Sequence, residues 1–502
     1  MSDNQTDPFG QNAPVSAPVP DDLRALRADI MALRQAVLMA AEPTIAGFGH
    51  PDDTALANLA HYLALRKHDV RELQRRLMTR GLSSLGRLES RVMPTLDAVV
   101  HALDRLTDDS SGIAPPEEAA FFAGERRLVS ASDILFGPSA HGRRTRIMVT
   151  LPSEAATDPD LVPMLAGHGM DIARINCAHD SAADWEAMVG HVRTAGERLG
   201  RRIGVMMDIA GPKIRTGLID KTKKATRLQA GDLLRLVAAG VPEADKDVAF
   251  AATVSLPEMV TRLEIGNRFR YDDGRLEGVV ESRTDTSAVI RITRAKAGGV
   301  KLKPEKGLNL PDTALGLSPL TAKDETDLKA VIALADMIGY SFVSRASDLD
   351  LLEEALDRLP PRETRLGLIA KIELPDAVRN LPALIARAAG RRPLGVMIAR
   401  GDLAAELGFE RLAEMQEEIL WICEAASVPV IWATQVLEDL VKDGIPSRGE
   451  MTDAAMAARA ECVMLNKGPA IGEAIAVLDG LLSRMDTHMF KKTPTLRALK
   501  SW

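Results

Sequence analysis

Glu373 and Asp402 are the two carboxylates best placed for chemistry, because each closely follows a short apolar segment. Two hard oxygen ligands, completed by water and substrate oxygens, suit Mg²⁺ or Mn²⁺ better than zinc. Lys371 precedes Glu373 by two residues, so in a strand both side chains point to one face and the ammonium can reach an oxygen bound to the same ion. Together the three residues could stabilise an anionic enolate beside a divalent cation.

Polar residues end several other apolar segments in the same way. Arg174 and Arg215, together with Lys371, bring the positive charge that a transferring phosphoryl group requires. Asp402 opens a helix, so the backbone amides of Gly401 and Asp402 would hold a carboxylate or phosphate oxygen. A single residue of this kind most often caps a helix or forms a surface ion pair. Seven such segment ends together favour a functional site. The further polar residues at these ends are Thr150, Asn176, His179, Asp208, Lys213, Ser341, Arg400, Thr434 and Gln435.

The segments that position these residues are short strands, most of them separated by helix-length stretches. Eight parallel strands with helical crossovers predict a closed (β/α)8 barrel, the α/β fold known as a TIM barrel, with its active site at the carboxyl ends of the strands. The predicted strands are 146–150, 171–176, 203–209, 336–342, 366–372, 394–399, 428–433 and 461–465.

The pattern changes along the chain and indicates several domains. Apolar residues at steps of three and four indicate helices before the barrel, with a role in scaffolding or oligomerisation. Short β-type runs broken by Gly and Asp interrupt the barrel and indicate a small β domain that is placed to act as a lid. The predicted parts are a disordered tail (1–20), an α-helical domain (21–140), the barrel (141–217 and 308–488), an inserted β lid domain (218–307) and a C-terminal tail (489–502).

The composition is typical of a soluble protein that binds small molecules. A net charge of −7 gives no general attraction to nucleic acid or to an anionic membrane. The three cysteines are widely spaced and odd in number, which indicates a reducing compartment, and the absence of a long apolar run predicts a cytoplasmic protein. The chain has no Gly-x-x-x-x-Gly-Lys-Ser/Thr loop, so a nucleotide would bind in the barrel mouth beneath the lid. A homo-oligomer is also expected.

Six motifs within residues 143–486 resemble those of the pyruvate kinases. The segment 206–217, Met-Met-Asp-Ile-Ala-Gly-Pro-Lys-Ile-Arg-Thr-Gly, is similar to the family's Leu-Asp-Thr-Lys-Gly-Pro-Glu-Ile-Arg-Thr-Gly. The segment 169–179, Gly-Met-Asp-Ile-Ala-Arg-Ile-Asn-Cys-Ala-His, is similar to Gly-Met-Asn-Val-Ala-Arg-Leu-Asn-Phe-Ser-His. Shorter matches are 370–373 to Ser-Lys-Ile-Glu, 397–403 to Met-Val-Ala-Arg-Gly-Asp-Leu, 432–438 to Cys-Ala-Thr-Gln-Met-Leu-Glu and 446–450 to Pro-Thr-Arg-Ala-Glu.

The resemblance implies transfer of a phosphoryl group between phosphoenolpyruvate and ADP, giving pyruvate and ATP through a Mg-bound enolate. It implies that Glu373 and Asp402 hold the metal, and that Thr434 lies next to the carbon that is protonated as enolpyruvate becomes pyruvate. Catalytic roles are expected for Lys371, Thr434, Arg174 and Arg215. Substrate or nucleotide contacts are expected from Thr150, Asn176, His179, Lys306, Ser341, Gly401 and Asp402.

The monovalent-cation site departs from the family pattern. The family holds potassium with an Asn, a Ser, an Asp and a Thr, where this chain has Asn176, Ala178, Asp208 and Ile209, so two ligands are missing. Lys213 stands where potassium-dependent members have Glu. Its ammonium can supply the charge that K⁺ otherwise provides, as in the family's potassium-independent branch. We therefore expect activity without K⁺.

Three other departures concern the activity itself. The family's Ser-Gly-Glu-Thr-Ala-Lys-Gly after the eighth strand is replaced by Asn-Lys-Gly-Pro-Ala-Ile-Gly at 466–472, and Thr150-Leu151-Pro152 lacks the Gly of the family's Thr-Ile-Gly-Pro. The chain stops at Trp502, so the family's C-terminal domain is expected to be absent.

These departures leave two alternatives open. One is a Mg-dependent lyase or mutase that forms an enolate from a 2-oxo acid or phosphoenolpyruvate. The other is a non-catalytic barrel that serves as a ligand sensor or scaffold. The non-catalytic alternative is opposed by the joint presence of four residues, Lys371, Glu373, Asp402 and Thr434.

Overall fold

The computed structural model describes residues 21–272, 274–313 and 316–496, so the tail predicted over residues 1–20 lies outside the described residues. The chain divides into two compact units, the first within Met1–Gly47 and Ala60–Ala123 and the second within Phe48–Leu59 and Gly124–Trp502. No helix in the described ranges is long and apolar enough to cross a membrane.

The helices that precede the barrel begin with a long amphipathic one. Helix α1 (Asp21–Phe48) buries Leu26, Ile30, Leu33 and Val37, whose spacing of four, three and four places them on one face. Its polar flank forms two ion pairs with α4 (Val92–Thr107), Arg27 with Asp104 and Arg34 with Asp97, both at 2.6 Å. The helices are α1 (Asp21–Phe48), α2 (Thr54–Leu65), α3 (Arg71–Met78), α4 (Val92–Thr107), α5 (Glu118–Phe121) and α6 (Ala123–Phe136).

The strands of the second unit fall into three groups along the chain. The first three barrel strands are β1 (Arg146–Thr150), β2 (Ile172–Asn176) and β3 (Gly204–Asp208). The inserted β domain has β4 (Thr216–Lys221), β5 (Leu233–Val237), β6 (Phe250–Val254), β7 (Arg268–Tyr271), β8 (Leu276–Arg283), β9 (Ser287–Ala295) and β10 (Leu308–Asn309). The remaining barrel strands are β11 (Met337–Tyr340), β12 (Gly367–Ile372), β13 (Leu394–Ala399), β14 (Val430–Ala433) and β15 (Cys462–Leu465), and a short hairpin follows, β16 (Met489–Phe490) and β17 (Thr493–Pro494).

The eight barrel strands close on themselves, so the predicted (β/α)8 fold is confirmed. All neighbours are parallel, and β1 pairs with both β2 and β15 to complete the ring. The inserted β domain forms a separate seven-stranded sheet in the order β10-β7-β8-β9-β5-β6-β4. Its apolar side chains form their own core, which includes Phe250, Phe269 and Tyr271. The insertion therefore folds around its own core between β3 and β11.

Helices connect the barrel strands, and several begin with a capping box. Such boxes are formed by Ser181 with Asp184 before α8 (Ala182–Leu199), Thr321 with Asp324 before α10 (Ala322–Leu334), and Ser447 with Glu450 before α16 (Arg448–Ala457). In each pair the two side chains satisfy backbone amides at the start of the helix reciprocally. The helices of the second unit after α6 are α7 (Leu161–Gly167), α8 (Ala182–Leu199), α9 (Glu258–Arg262), α10 (Ala322–Leu334), α11 (Ala346–Asp357), α12 (Pro375–Ala388), α13 (Arg400–Leu407), α14 (Phe409–Ala425), α15 (Glu438–Asp443), α16 (Arg448–Ala457) and α17 (Ile471–Met485).

Helix α6 belongs to the second unit and ends in the core of the barrel. Leu135 and Phe136 are buried with inward-facing methionines and isoleucines of the barrel strands. The strands make room for Leu135 with glycine, since a Cβ added to Gly367 or Gly395 would lie 2.6 or 2.7 Å from a methyl carbon of Leu135. Leu135 fits so closely that a smaller side chain in its place would leave a void.

We expect Leu135→Ala to lower the free energy of unfolding of the second unit by about 2–5 kcal/mol, because it leaves a cavity in the barrel core. The adjacent Ile134 is 64% exposed and provides the matched control, since Ile134→Ala should change the value by less than about 0.5 kcal/mol. Urea denaturation followed by tryptophan emission measures the difference, because Trp185, Trp421 and Trp432 fall within the second unit. Equal losses in the two variants would contradict this role of Leu135.

Candidate active site

Arg174 is fixed at the carboxyl end of β2 by residues of both neighbouring strands. The barrel register places Thr150 beside Arg174, and Arg174 Nη1 donates to Thr150 Oγ1 at 2.9 Å. On the other side Arg174 Nε donates to Asp208 Oδ2 at 3.0 Å, and Nη2 also contacts this oxygen. The guanidinium is therefore held in one orientation at the opening of the barrel, as recognition of a phosphate or carboxylate requires.

Lys371 lies at the centre of the predicted site. Its Nζ is 2.8 Å from Ser341 Oγ, 2.8 Å from Glu373 Oε1 and 3.3 Å from Asp208 Oδ1. Burial lowers the pKa of Lys371, but the carboxylates of Asp208 and Glu373 outweigh burial and raise it above the ordinary lysine value. The side chain therefore carries a full positive charge at neutral pH.

Asp208 connects these two cations, and it was predicted as a polar strand end without a catalytic or binding role. Burial raises the pKa of Asp208, but Lys371 and Arg174 outweigh that effect and lower it. Ser341 Oγ donates to the backbone oxygen of Ile209 at 2.8 Å, which fixes the hydroxyl beside the ammonium. The signal for Asp208 in the sequence was its place as the last residue of an apolar strand within a motif.

The residues present fit a divalent cation that keeps ligands from water and substrate. Burial raises the pKa of Glu373, the positive charge of Lys371 opposes this shift, and the carboxylate of Asp402 adds to it. Phe342 N donates to Glu373 Oε2 at 2.7 Å and orients that carboxylate. In the described ranges no group of three or more His, Cys, Asp or Glu side chains is arranged as a metal site. Two carboxylates with open positions suit Mg²⁺ or Mn²⁺ rather than zinc.

Lys213 reaches into the same site from the segment between β3 and β4. Its Nζ lies 2.7 Å from Asp402 Oδ1. Burial raises the pKa of Asp402, but the ammonium of Lys213 outweighs burial and lowers it. The residue predicted to substitute for a monovalent cation is thus in direct contact with a predicted metal ligand.

Gly401 and Thr434 are brought together at the start of α13. The amide of Gly401 donates to Thr434 Oγ1 at 2.7 Å, so this predicted anion donor serves an internal partner. Thr434 and Gln435 have φ values of +64° and +54°, a conformation that costs energy for residues other than glycine. This strained turn directs the Thr434 hydroxyl toward α13.

Arg215, Lys306 and His179 lie apart from this hydrogen-bonded cluster. Arg215 Nη1 donates to the backbone oxygen of Glu305 at 3.0 Å, and Lys306 Nζ pairs with Asp272 at 2.9 Å, so both cations are held by the inserted β domain or its edge. No hydrogen bond between described residues joins them to Lys371.

The cations Lys467 and Arg215 influence the pKa of His179. Burial lowers the pKa of His179, and the charges of Lys467 and Arg215 lower it further. Lys467 lies in the loop after β15 that departs from the family pattern. Asn176 uses its Oδ1 to accept the amide of Ala178 at 3.1 Å, which shapes the turn before His179. His179 is therefore subject to the charges of Lys467, Arg215 and Arg174, which the carboxylate of Asp180 opposes.

Two polar residues near Asp402 were not predicted. Asn309 Nδ2 donates to Glu406 Oε1 at 3.0 Å, and Glu406 lies one helical turn after Asp402 on α13. Burial raises the pKa of Glu406. The i, i+4 spacing of Asp402 and Glu406 could have indicated that both acids lie on one face of α13. Asn309 lies in the last strand of the inserted domain, and no sequence pattern relates it to α13.

The barrel region of this chain is similar to known proteins. The family model described as pyruvate kinase, barrel domain, matches residues 142–475, which include every barrel strand. The chain belongs to the pyruvate kinase family. It is 32% identical over 369 residues to a pyruvate kinase of Agrobacterium vitis, covering 71% of this chain and 72% of that protein. It is 32% identical over 334 residues to a pyruvate kinase of Mycobacterium tuberculosis, covering 66% and 67%.

A solved structure shows the same relationship. The crystal structure of a pyruvate kinase from Cryptosporidium parvum matches with a TM-score of 0.60 and 26% identity, and covers 71% of this chain and 73% of that one. Membership in the pyruvate kinase family confirms the prediction of an enzyme of the phosphotransferase class. The residues before 142 lie outside the family match.

Proposed function

We propose that this protein transfers a phosphoryl group between phosphoenolpyruvate and ADP, giving pyruvate and ATP. The observation that carries the proposal is the position of Lys371, whose ammonium, in a side chain only 12% exposed, contacts Ser341, Glu373 and Asp208 at the carboxyl end of a pyruvate kinase barrel. A fixed cation at that place is what the developing charge of phosphoryl transfer and of an enolate requires.

Each residue of the cluster has a role in this reaction. Glu373 and Asp402 would hold Mg²⁺ or Mn²⁺, which when bound neutralises charge on phosphoryl and enolate oxygens. Arg174 would hold the phosphate in line, and Lys371 would donate to oxygens that gain charge. The bond from phosphorus to the enol oxygen breaks, and a bond from phosphorus to a β-phosphate oxygen of ADP forms. The enolate then takes a proton on its terminal carbon, next to Thr434, and becomes pyruvate.

The nucleotide would bind at the region around His179. The charges of Lys467 and Arg215 act on His179 there. Arg215 donates to the backbone oxygen of Glu305, and Lys306 is the next residue in the chain. These cations can pair with the phosphates of ADP. The sequence has no glycine-rich phosphate-binding loop that would bind them instead.

We expect the wild-type protein to turn over without K⁺, because Lys213 brings a fixed ammonium to the site. A coupled assay with phosphoenolpyruvate, ADP and Mg²⁺ should give rates within about twofold when K⁺ replaces Na⁺, and Lys213→Glu should create a dependence on K⁺. A wild-type requirement for K⁺, or a Lys213→Glu variant indifferent to it, would count against this role of Lys213.

A lyase or mutase acting through an enolate is the second candidate. The altered loop after β15 favours it, because Lys467 stands among residues that replace the family's hydroxyl and carboxylate. Such an enzyme would exchange the methyl protons of pyruvate with deuterium but would show no turnover that depends on ADP. Proton exchange followed by NMR beside the coupled assay separates the two. The cytoplasmic location, the role in glycolysis and the homo-oligomeric state stay predictions.

A further inference from the structure

The contact between Lys213 and Asp402 has the geometry of a strong, partly buried ion pair. Lys213 Nζ is 2.7 Å from Asp402 Oδ1, and the two side chains are only 21% and 17% exposed. The lysine stem runs beneath the backbone at Gly307, where an added Cβ would lie 2.6 Å from Lys213 Cε. The close approach of the backbone at Gly307 thus holds the Lys213 side chain in the direction of Asp402.

The charges in direct contact at this site balance. Each of the three carboxylates has an ammonium or guanidinium group within ion-pair distance. The acids are Asp208, Glu373 and Asp402, and the bases are Arg174, Lys371 and Lys213. A divalent cation entering this cluster meets fixed positive charges as well as its two ligands.

We propose that Lys213 and the divalent cation compete for Asp402, so that the ion displaces the ammonium when it binds. This rests on the proposed function, because it takes Glu373 and Asp402 as the metal ligands. The ammonium lies 2.7 Å from Asp402 Oδ1, so a divalent cation bound by that carboxylate would lie next to a unit positive charge and be repelled by it. Lys213 therefore weakens binding of the metal alone, and its displacement frees the ammonium for an anionic substrate.

Binding of Mn²⁺ to the full chain without substrates tests the competition. The EPR signal of free Mn²⁺ gives the Kd directly and needs no turnover. We expect the Kd of Lys213→Met to be lower than that of the wild type by about tenfold or more, because a unit charge next to the ion is removed. Lys213→Arg, which keeps the charge and the pairing, should stay within about threefold of the wild type. Lys442→Met, which breaks an exposed ion pair with Glu438 on α15, is the control for loss of a lysine elsewhere.

One further variant and a check of folding make each outcome decisive. Asp402→Asn should abolish the binding that Lys213→Met strengthens, which shows that the titration reports this site. If Lys213→Met binds Mn²⁺ with the wild-type Kd, or more weakly, the competition is overturned. Tryptophan emission checks that each variant is folded. An absence of ADP-dependent turnover would overturn the proposed reaction, whereas an unchanged Kd in Lys213→Met would overturn only the competition, so the two failures are distinguishable.

Discussion

Lys371→Met is expected to reduce turnover of phosphoenolpyruvate and ADP by about 10²–10³-fold or more. The ammonium has three partners within the site, and methionine keeps the unbranched side chain without its charge. Loss of a fixed electrostatic group that acts on developing charge typically costs this much in kcat. Steady-state rates in the coupled assay measure it, and kcat should fall more than KM rises, because the interaction is stronger in the transition state.

The control for Lys371→Met must separate lost chemistry from lost structure. Arg174 still neutralises Asp208 in the variant, which limits the loss of stability. Emission of Trp432, which lies in β14, shows whether the barrel remains folded. Lys442→Met removes an exposed lysine and should keep full activity. A folded Lys371→Met variant with a rate within tenfold of the wild type would show that Lys371 is not the catalytic cation.

The barrel could be predicted from the sequence because its strands carry a local signal. Each strand is an apolar run that stops at a polar residue, and the observed limits of β12, Gly367–Ile372, differ by one residue from those predicted. Once eight such runs are placed in a closed ring, the geometry of a parallel barrel brings their carboxyl ends together. Convergence of Arg174, Lys371 and Glu373 follows from topology and needs no knowledge of side-chain positions.

The pairings within the site could not be predicted in the same way. Lys213 and Asp402 are 189 residues apart, and their contact depends on where the chain leaves and re-enters the barrel. Asn309 and Glu406 meet for the same reason. Arg400 appeared as one more polar strand end, but it pairs with Asp453 at 2.6 Å. Sequence patterns report the face on which a residue lies, whereas these contacts depend on long-range packing.

Helix α6 illustrates the same limit on a larger scale. Its amphipathic pattern indicates a helix but not the surface that it covers. The structure places α6 with the barrel, where Leu135 and Phe136 complete the core. The position of α6 depends on Gly367 and Gly395, two strand residues more than 200 positions away in the sequence. A Cβ at either residue would collide with Leu135.

Arg143→Met is expected to lower the free energy of unfolding of the second unit by about 3–5 kcal/mol. The side chain is fully buried and binds four acceptors around the start of the barrel. Nη1 donates to Asp171 Oδ2 at 2.6 Å and to the backbone oxygen of Thr145 at 2.7 Å, Nε donates to Asp479 Oδ1 at 2.7 Å, and Nη2 donates to the backbone oxygen of Gly169. Urea denaturation followed by tryptophan emission measures the change.

The reason for this large effect is what the substitution leaves behind. Asp171 is 1% exposed, so it would remain a buried carboxylate with its strongest counter-ion removed. Arg379→Met is the matched control, because Arg379 is 74% exposed beside Asp376 and an exposed pair contributes about 0–1 kcal/mol. Asp171→Asn in the Arg143→Met background should recover part of the loss, since it removes the stranded charge. If the double variant is no more stable than Arg143→Met, the cost lies in lost packing and hydrogen bonds rather than in an uncompensated charge.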